Sequence, residues 1–108
     1  MALVSNEILQ QTALAQMHDI DNCITKLNQI KAGLLSSSTE LLEMASSLDT
    51  DSPEMKALER RRQILAAYEK KIDQEIQDYQ NKRKKAEARF QNASQNIDKS
   101  IQRMSGGR

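Results

Sequence analysis

Apolar residues recur along the first half of the chain in alternating steps of four and three. They are Ala13, Met17, Ile20, Ile24, Leu27, Leu34, Leu41, Ala45 and Leu48, with Lys31 and Ser38 filling the two remaining slots. That spacing keeps one stripe of side chains on one side of an α-helix and forms the seam of a coiled coil. Leu9, Leu14, Ile30, Leu35, Leu42 and Met44 lie beside the stripe and widen it beyond a narrow two-stranded seam. After a polar interval the pattern resumes with Met55, Leu58, Leu65, Tyr68, Ile72, Ile76, Tyr79, Ala86, Phe90, Ala93, Ile97, Ile101 and Met104. Arg62 and Arg83 take two of its slots. Steps of four follow one another near Ile76 and Ile101, and stutters of that kind change supercoiling locally.

Between the two patterns lies Leu48-Asp49-Thr50-Asp51-Ser52-Pro53-Glu54, which holds the only proline. Ser52 is suited to the N-cap, where its hydroxyl accepts a hydrogen bond from an amide of the first turn. Pro53 fits the first helical position, where its missing N–H costs nothing, and Glu54 complements the positive end of the helix dipole. The pattern predicts helix 1 over about 5–48, a turn at 49–52, helix 2 over about 53–104 and a flexible tail at 105–108, within one domain spanning 1–108. A weak point lies in helix 1. Gly33 is disfavoured in a helix interior, three serines follow at 36–38, and Ser37 with Glu40 reads as a capping box. A kink there, or a three-helix layout, is the alternative.

Composition supports helices over sheets. The 108 residues include no Trp, one Phe, two Tyr, three Gly and one Pro, too few turn formers for a many-stranded sheet. Ala, Glu, Lys, Leu, Arg and Gln dominate, as in long helices and coiled coils. The predicted fold is all-α: an antiparallel helical hairpin, coiled-coil-like, completed into a bundle by oligomerisation.

The net charge is only +1, but it is unevenly placed. Residues 1–51 hold two basic and seven acidic side chains, while 52–108 hold fourteen basic and eight acidic. Folding the arms back on each other about the turn brings together residues whose numbers add to about 103. Leu48 then meets Met55, Leu41 lies near Arg62, Ile20 near Arg83, and Ala13 faces Phe90. Glu40 and Glu43 fall opposite Arg60, Arg61 and Arg62, and Asp19 and Asp21 opposite Lys82, Arg83, Lys84 and Lys85. Opposed clusters of this kind set register and orientation more than they add energy.

The same clusters admit another chemistry. Lys82-Arg83-Lys84-Lys85 carries the charge to grip phosphates, but no aromatic residues interleave for base stacking, so nucleic acid is not the expected partner. A membrane surface is not expected either: helix 1 has almost no basic residues, and helix 2 has a thin apolar face. No apolar run approaches the roughly 18 residues of a membrane span. His18, beside Asp19, Asp21 and Asn22, is the only histidine, which falls short of a zinc-ligand set and excludes any triad that does not use it. Cys23 is single and adjoins the seam. No catalytic residue, metal or cofactor is expected, and the chain is read as a non-enzyme.

A hairpin that buries one stripe per helix leaves Leu9, Leu14, Leu35, Leu42 and Ile64 exposed, which points to self-association or a partner helix. Leu65-Ala66-Ala67-Tyr68 and Ile97-Asp98…Ile101-Gln102, following a Pro-bearing turn, resemble segments of type III secretion needle subunits. The length and outline are also similar to WXG100 proteins, although Asp-Thr-Asp-Ser-Pro-Glu stands where their turn carries Trp-x-Gly. These resemblances imply an exported, self-assembling subunit. The main expectation is a non-catalytic structural or interaction protein acting through helix–helix association and self-assembly. The alternatives are a secretion-system subunit or substrate and a small helical chaperone for a client helix. The N-terminus carries neither a basic leader nor a long apolar core, so a cytoplasmic location is the default expectation, with export possible only without a cleavable signal.

Overall fold

The computed structural model describes residues 2–106. Two helices account for nearly all of them: α1, Ala2–Ala45, and α2, Pro53–Gly106, with 44 and 54 residues. They form an antiparallel helical hairpin without strands among the described residues.

The turn is built as its residues dictate. Ser52 Oγ accepts a hydrogen bond from the Met55 amide at 3.1 Å, and the Ser52 carbonyl accepts from Lys56 N at 3.2 Å, so Ser52 is the N-cap of α2. Its hydroxyl also donates to the Asp49 carbonyl at 2.8 Å, closing the turn on itself. α1 ends at Ala45, three residues before the expected limit of 48. Its last carbonyls are taken by serine hydroxyls instead: Ser46 Oγ donates to Glu43 O at 2.6 Å and Ser47 Oγ to Met44 O at 2.9 Å. The amides of Ser47 and Leu48 bond three residues back, to Met44 and Ala45, which tightens the final turn.

The alternative of a break at Gly33–Ser38 does not occur, and helix 1 is continuous, as the main reading predicts. α1 is one helix through that stretch, Gly33 has no positive φ, and the Ser37–Glu40 pair lies inside helix rather than at a start. At the other end α2 continues through Ser105 and Gly106, where a tail was expected; Gly107 and Arg108 lie outside the described residues.

Contacts gather into two units, residues 1–24 with 78–108, and residues 25–77, which carry the turn. In the first unit the fully buried side chains are small: Ala13, Ala86 and Ala93 are 0–3% exposed. Met17, Ile20, Ile24, Tyr79, Phe90 and Ile97 are half-buried around them. This alternation of small and large residues lets the helices approach closely while the large side chains fill the flanks. In the second unit Leu41 and Leu58 are buried. Leu27, Leu34, Leu48, Met55, Leu65, Ile72 and Ile76 are half-buried.

The inward positions step by three and four without interruption. In α1 they continue toward the N-terminus through Gln10, Asn6 and Leu3. In α2 they run Leu65, Glu69, Ile72, Ile76, Tyr79 and later Ile97, Ser100. Two expected seam residues therefore lie outside it. Tyr68 is 56% exposed and Ile101 49% exposed, and the seam passes through Glu69 and Ser100 instead. With those positions corrected, the expected stutters near Ile76 and Ile101 vanish. Met104, at the end of the apolar pattern, is 72% exposed.

Candidate functional site

Three of the long polar side chains at seam positions, Gln10, Lys31 and Arg83, bond across to the other helix. In the first unit Gln10 Nε2 donates to Ser94 Oγ at 2.9 Å. Arg83 meets the Asp21 carboxylate with two nitrogens, Nε to Oδ1 at 2.7 Å and Nη2 to Oδ2 at 3.3 Å, and reaches Glu87 at 3.4 Å. In the second unit Lys31 Nζ meets Asp73 Oδ1 at 2.7 Å. The guanidinium and the ammonium both have raised pKa values, chiefly because each is hydrogen-bonded to its facing carboxylate. Glu69, a seam acid of the second unit, adds to the field on Lys31. The bonded residues in these three rungs have numbers that add to 104, one more than expected.

In each unit the rungs define two flanks of the seam. In the first unit one flank holds Asp21 and Ser94 with Leu14, and the other holds Leu9, Lys82 and Arg89. In the second unit one flank holds Asp73 with Leu35 and Leu42, and the other holds Ile30, Met44, Arg61 and Tyr68. Each flank retains apolar side chains that neither helix covers: Leu9, Ile30, Leu42, Met44, Ile64 and Tyr68 are 50–56% exposed, and Leu14 and Leu35 are 40% and 47% exposed.

Of the expected charge pairs, the structure joins Asp21 to Arg83. Asp19 lines a groove of the first unit with Lys82, Lys85 and Arg89, and Lys82 sits 5.2 Å from the centre of the Tyr79 ring on its own helix. Lys84 is exposed. The other cluster is not joined as expected. Arg62 bonds Glu59 of its own helix at 2.9 Å, and among the described residues no ion pair links Glu40 or Glu43 to Arg60, Arg61 or Arg62. The register explains this: Glu43 and Arg60 lie on the outer sides of their helices, while Arg62 sits in the seam. Glu40 and Arg61 instead line the same open groove of about 360 Å³, with Leu41, Met44, Ile64 and Leu65.

Gln10–Ser94, Lys31–Asp73 and the bond from Arg89 Nη2 to Gln16 Oε1 at 2.8 Å were not anticipated. The signal available for Lys31 was its place in the seam, within reach of acids on the facing helix. For Gln10 the signal was the continuation of the heptad spacing toward the N-terminus.

His18 is exposed and Cys23 is half-buried. Among the described residues no three His, Cys, Asp or Glu side chains gather as a metal site would require, and no helix is long and apolar enough to cross a membrane. What this surface offers chemically is apolar contact and ion pairing along helices. No family model, no curated protein and no solved structure matches this chain.

Proposed function

We propose that the protein is a non-catalytic interaction module that works by helix–helix association, beginning with self-assembly. One observation carries this reading. The two helices cover only the seam, and leucine, isoleucine, methionine and tyrosine side chains on both flanks remain half exposed. Removing such residues from water is worth about 25 cal/mol per Å², and further helices packed on the flanks would remove them.

Sedimentation and thermal melting of the full chain test the reading together. Self-association predicts a mass above one chain and a melting temperature that rises with protein concentration, because assembly stabilises the folded state by mass action. A single-chain mass with a concentration-independent melting temperature would overturn it.

A further inference from the structure

We propose that a second copy of this chain covers the open groove beside the turn, in a two-fold pairing with both turns at the same end. The inference rests on the self-association reading and specifies its interface. The groove has an apolar floor, Leu41 and Leu65, between rims formed by Met44 and Ile64, each 55% exposed. Tyr68, one helical turn beyond Ile64, extends the rim.

Charge selects the occupant. The groove carries an acid on α1, Glu40, and a base on α2, Arg61, and no ion pair uses either within the chain among the described residues. A two-fold axis parallel to the helices lays α1 of one copy against α2 of the other. Glu40 then meets Arg61 of the second copy, and Arg61 meets Glu40 of the second copy. Every neighbouring helix pair in this unit stays antiparallel, as within the hairpin. The other face-to-face two-fold, with the turns at opposite ends, stacks each helix on its own copy. It brings Glu40 toward the second copy's acids and Arg61 toward its arginines, and like charges across an interface oppose binding. An unrelated helix would need its own matching acid, base and apolar face, whereas a second copy supplies all three by symmetry.

The test is an exchange of charge between chains, using the full-length protein. Glu40→Arg sets arginine against arginine in both symmetric contacts, and Arg61→Glu sets glutamate against glutamate. Each variant should dimerise about tenfold more weakly or worse in sedimentation at low salt, with helicity by circular dichroism unchanged. Mixing the two variants should restore a dimer of one copy of each, because both contacts become opposite in sign again. Only a pairing between chains predicts that rescue. Met44→Ser with Ile64→Ser should weaken the dimer without restoring on mixing. If the variants assemble as the wild type does, or if mixing restores nothing, this interface is overturned while self-association stands. A wild type that never exceeds one chain removes both.

Discussion

Lys31 occupies an inward slot where leucine would bury more apolar surface, yet its ammonium is held 2.7 Å from Asp73. The charge is tolerated because the ammonium stays at the edge of the seam and gains a carboxylate there. Its pKa lies above the ordinary 10.5, chiefly through the Asp73 hydrogen bond and then its charge. A base whose folded pKa is raised contributes stability in full below its unfolded value and loses it as pH rises through the folded value. The contribution of Lys31 is therefore constant through neutral pH and is lost only above 10.5. Lys31→Arg keeps its charge throughout that window. At fixed protein concentration, the melting temperature of the wild type should fall faster than that of the arginine variant as pH rises past this point. Parallel curves would show that the Lys31 bridge contributes nothing to folding.

α1 shows what periodicity can and cannot reveal. Its seam was legible because Ala13, Met17, Ile20, Ile24 and Leu27 mark the heptad unaided, and the Ser52-Pro53-Glu54 start of α2 was legible because capping is local chemistry. Tyr68 was read as a seam residue because hydropathy ranks tyrosine above glutamate. The structure turns Glu69 inward, in strict three- and four-residue steps from Leu65 to Ile76. Holding that spacing, rather than choosing the more apolar residue at each step, identifies Glu69 within one helix. The alternative of a break at Gly33 does not occur, for a reason of magnitude. A glycine costs a helix interior about 1 kcal/mol, less than the apolar contacts of Leu27, Leu34 and Leu41 on either side contribute. Thr39 Oγ1 donates to Leu35 O at 3.0 Å, so even this β-branched residue is accommodated within the helix. Gly33 has no positive φ, and an added Cβ would meet nothing within 4 Å. Gly33→Ala should therefore stabilise the protein by about 1 kcal/mol, seen as a rise of a few degrees in melting temperature at fixed concentration. A drop would mean that this stretch bends in solution.

For the molecule as a whole the question is register, because a seam of repeating apolar residues can slide by one heptad and keep much of its burial. The rungs oppose this. Sliding α1 by seven residues either way puts Leu14 or Asn28 where Asp21 meets Arg83. Sliding α2 likewise offers Ala66 or Gln80 to Lys31 in place of Asp73, and Glu87 or Ile101 to Gln10 in place of Ser94. Each slip therefore strands at least one cation from its carboxylate, a cost that apolar residues alone would not impose. Buried asparagines fix coiled-coil register on the same principle, by penalising the alternatives more than they stabilise the chosen state. A charge exchange across the Asp21–Arg83 rung tests this in the first unit. Glu87 also reaches Arg83, so the exchange belongs in a Glu87→Gln background, where a glutamate at position 83 meets no second acid. Asp21→Lys and Arg83→Glu should each lower the melting temperature, and the two together should recover most of the loss. The recovery should shrink in 1 M salt, where the Debye length falls to about 3 Å. Recovery that survives high salt would assign the effect to side-chain packing. No recovery at low salt would mean that Asp21 and Arg83 do not face each other, and the hairpin would then be out of the register drawn from all three rungs.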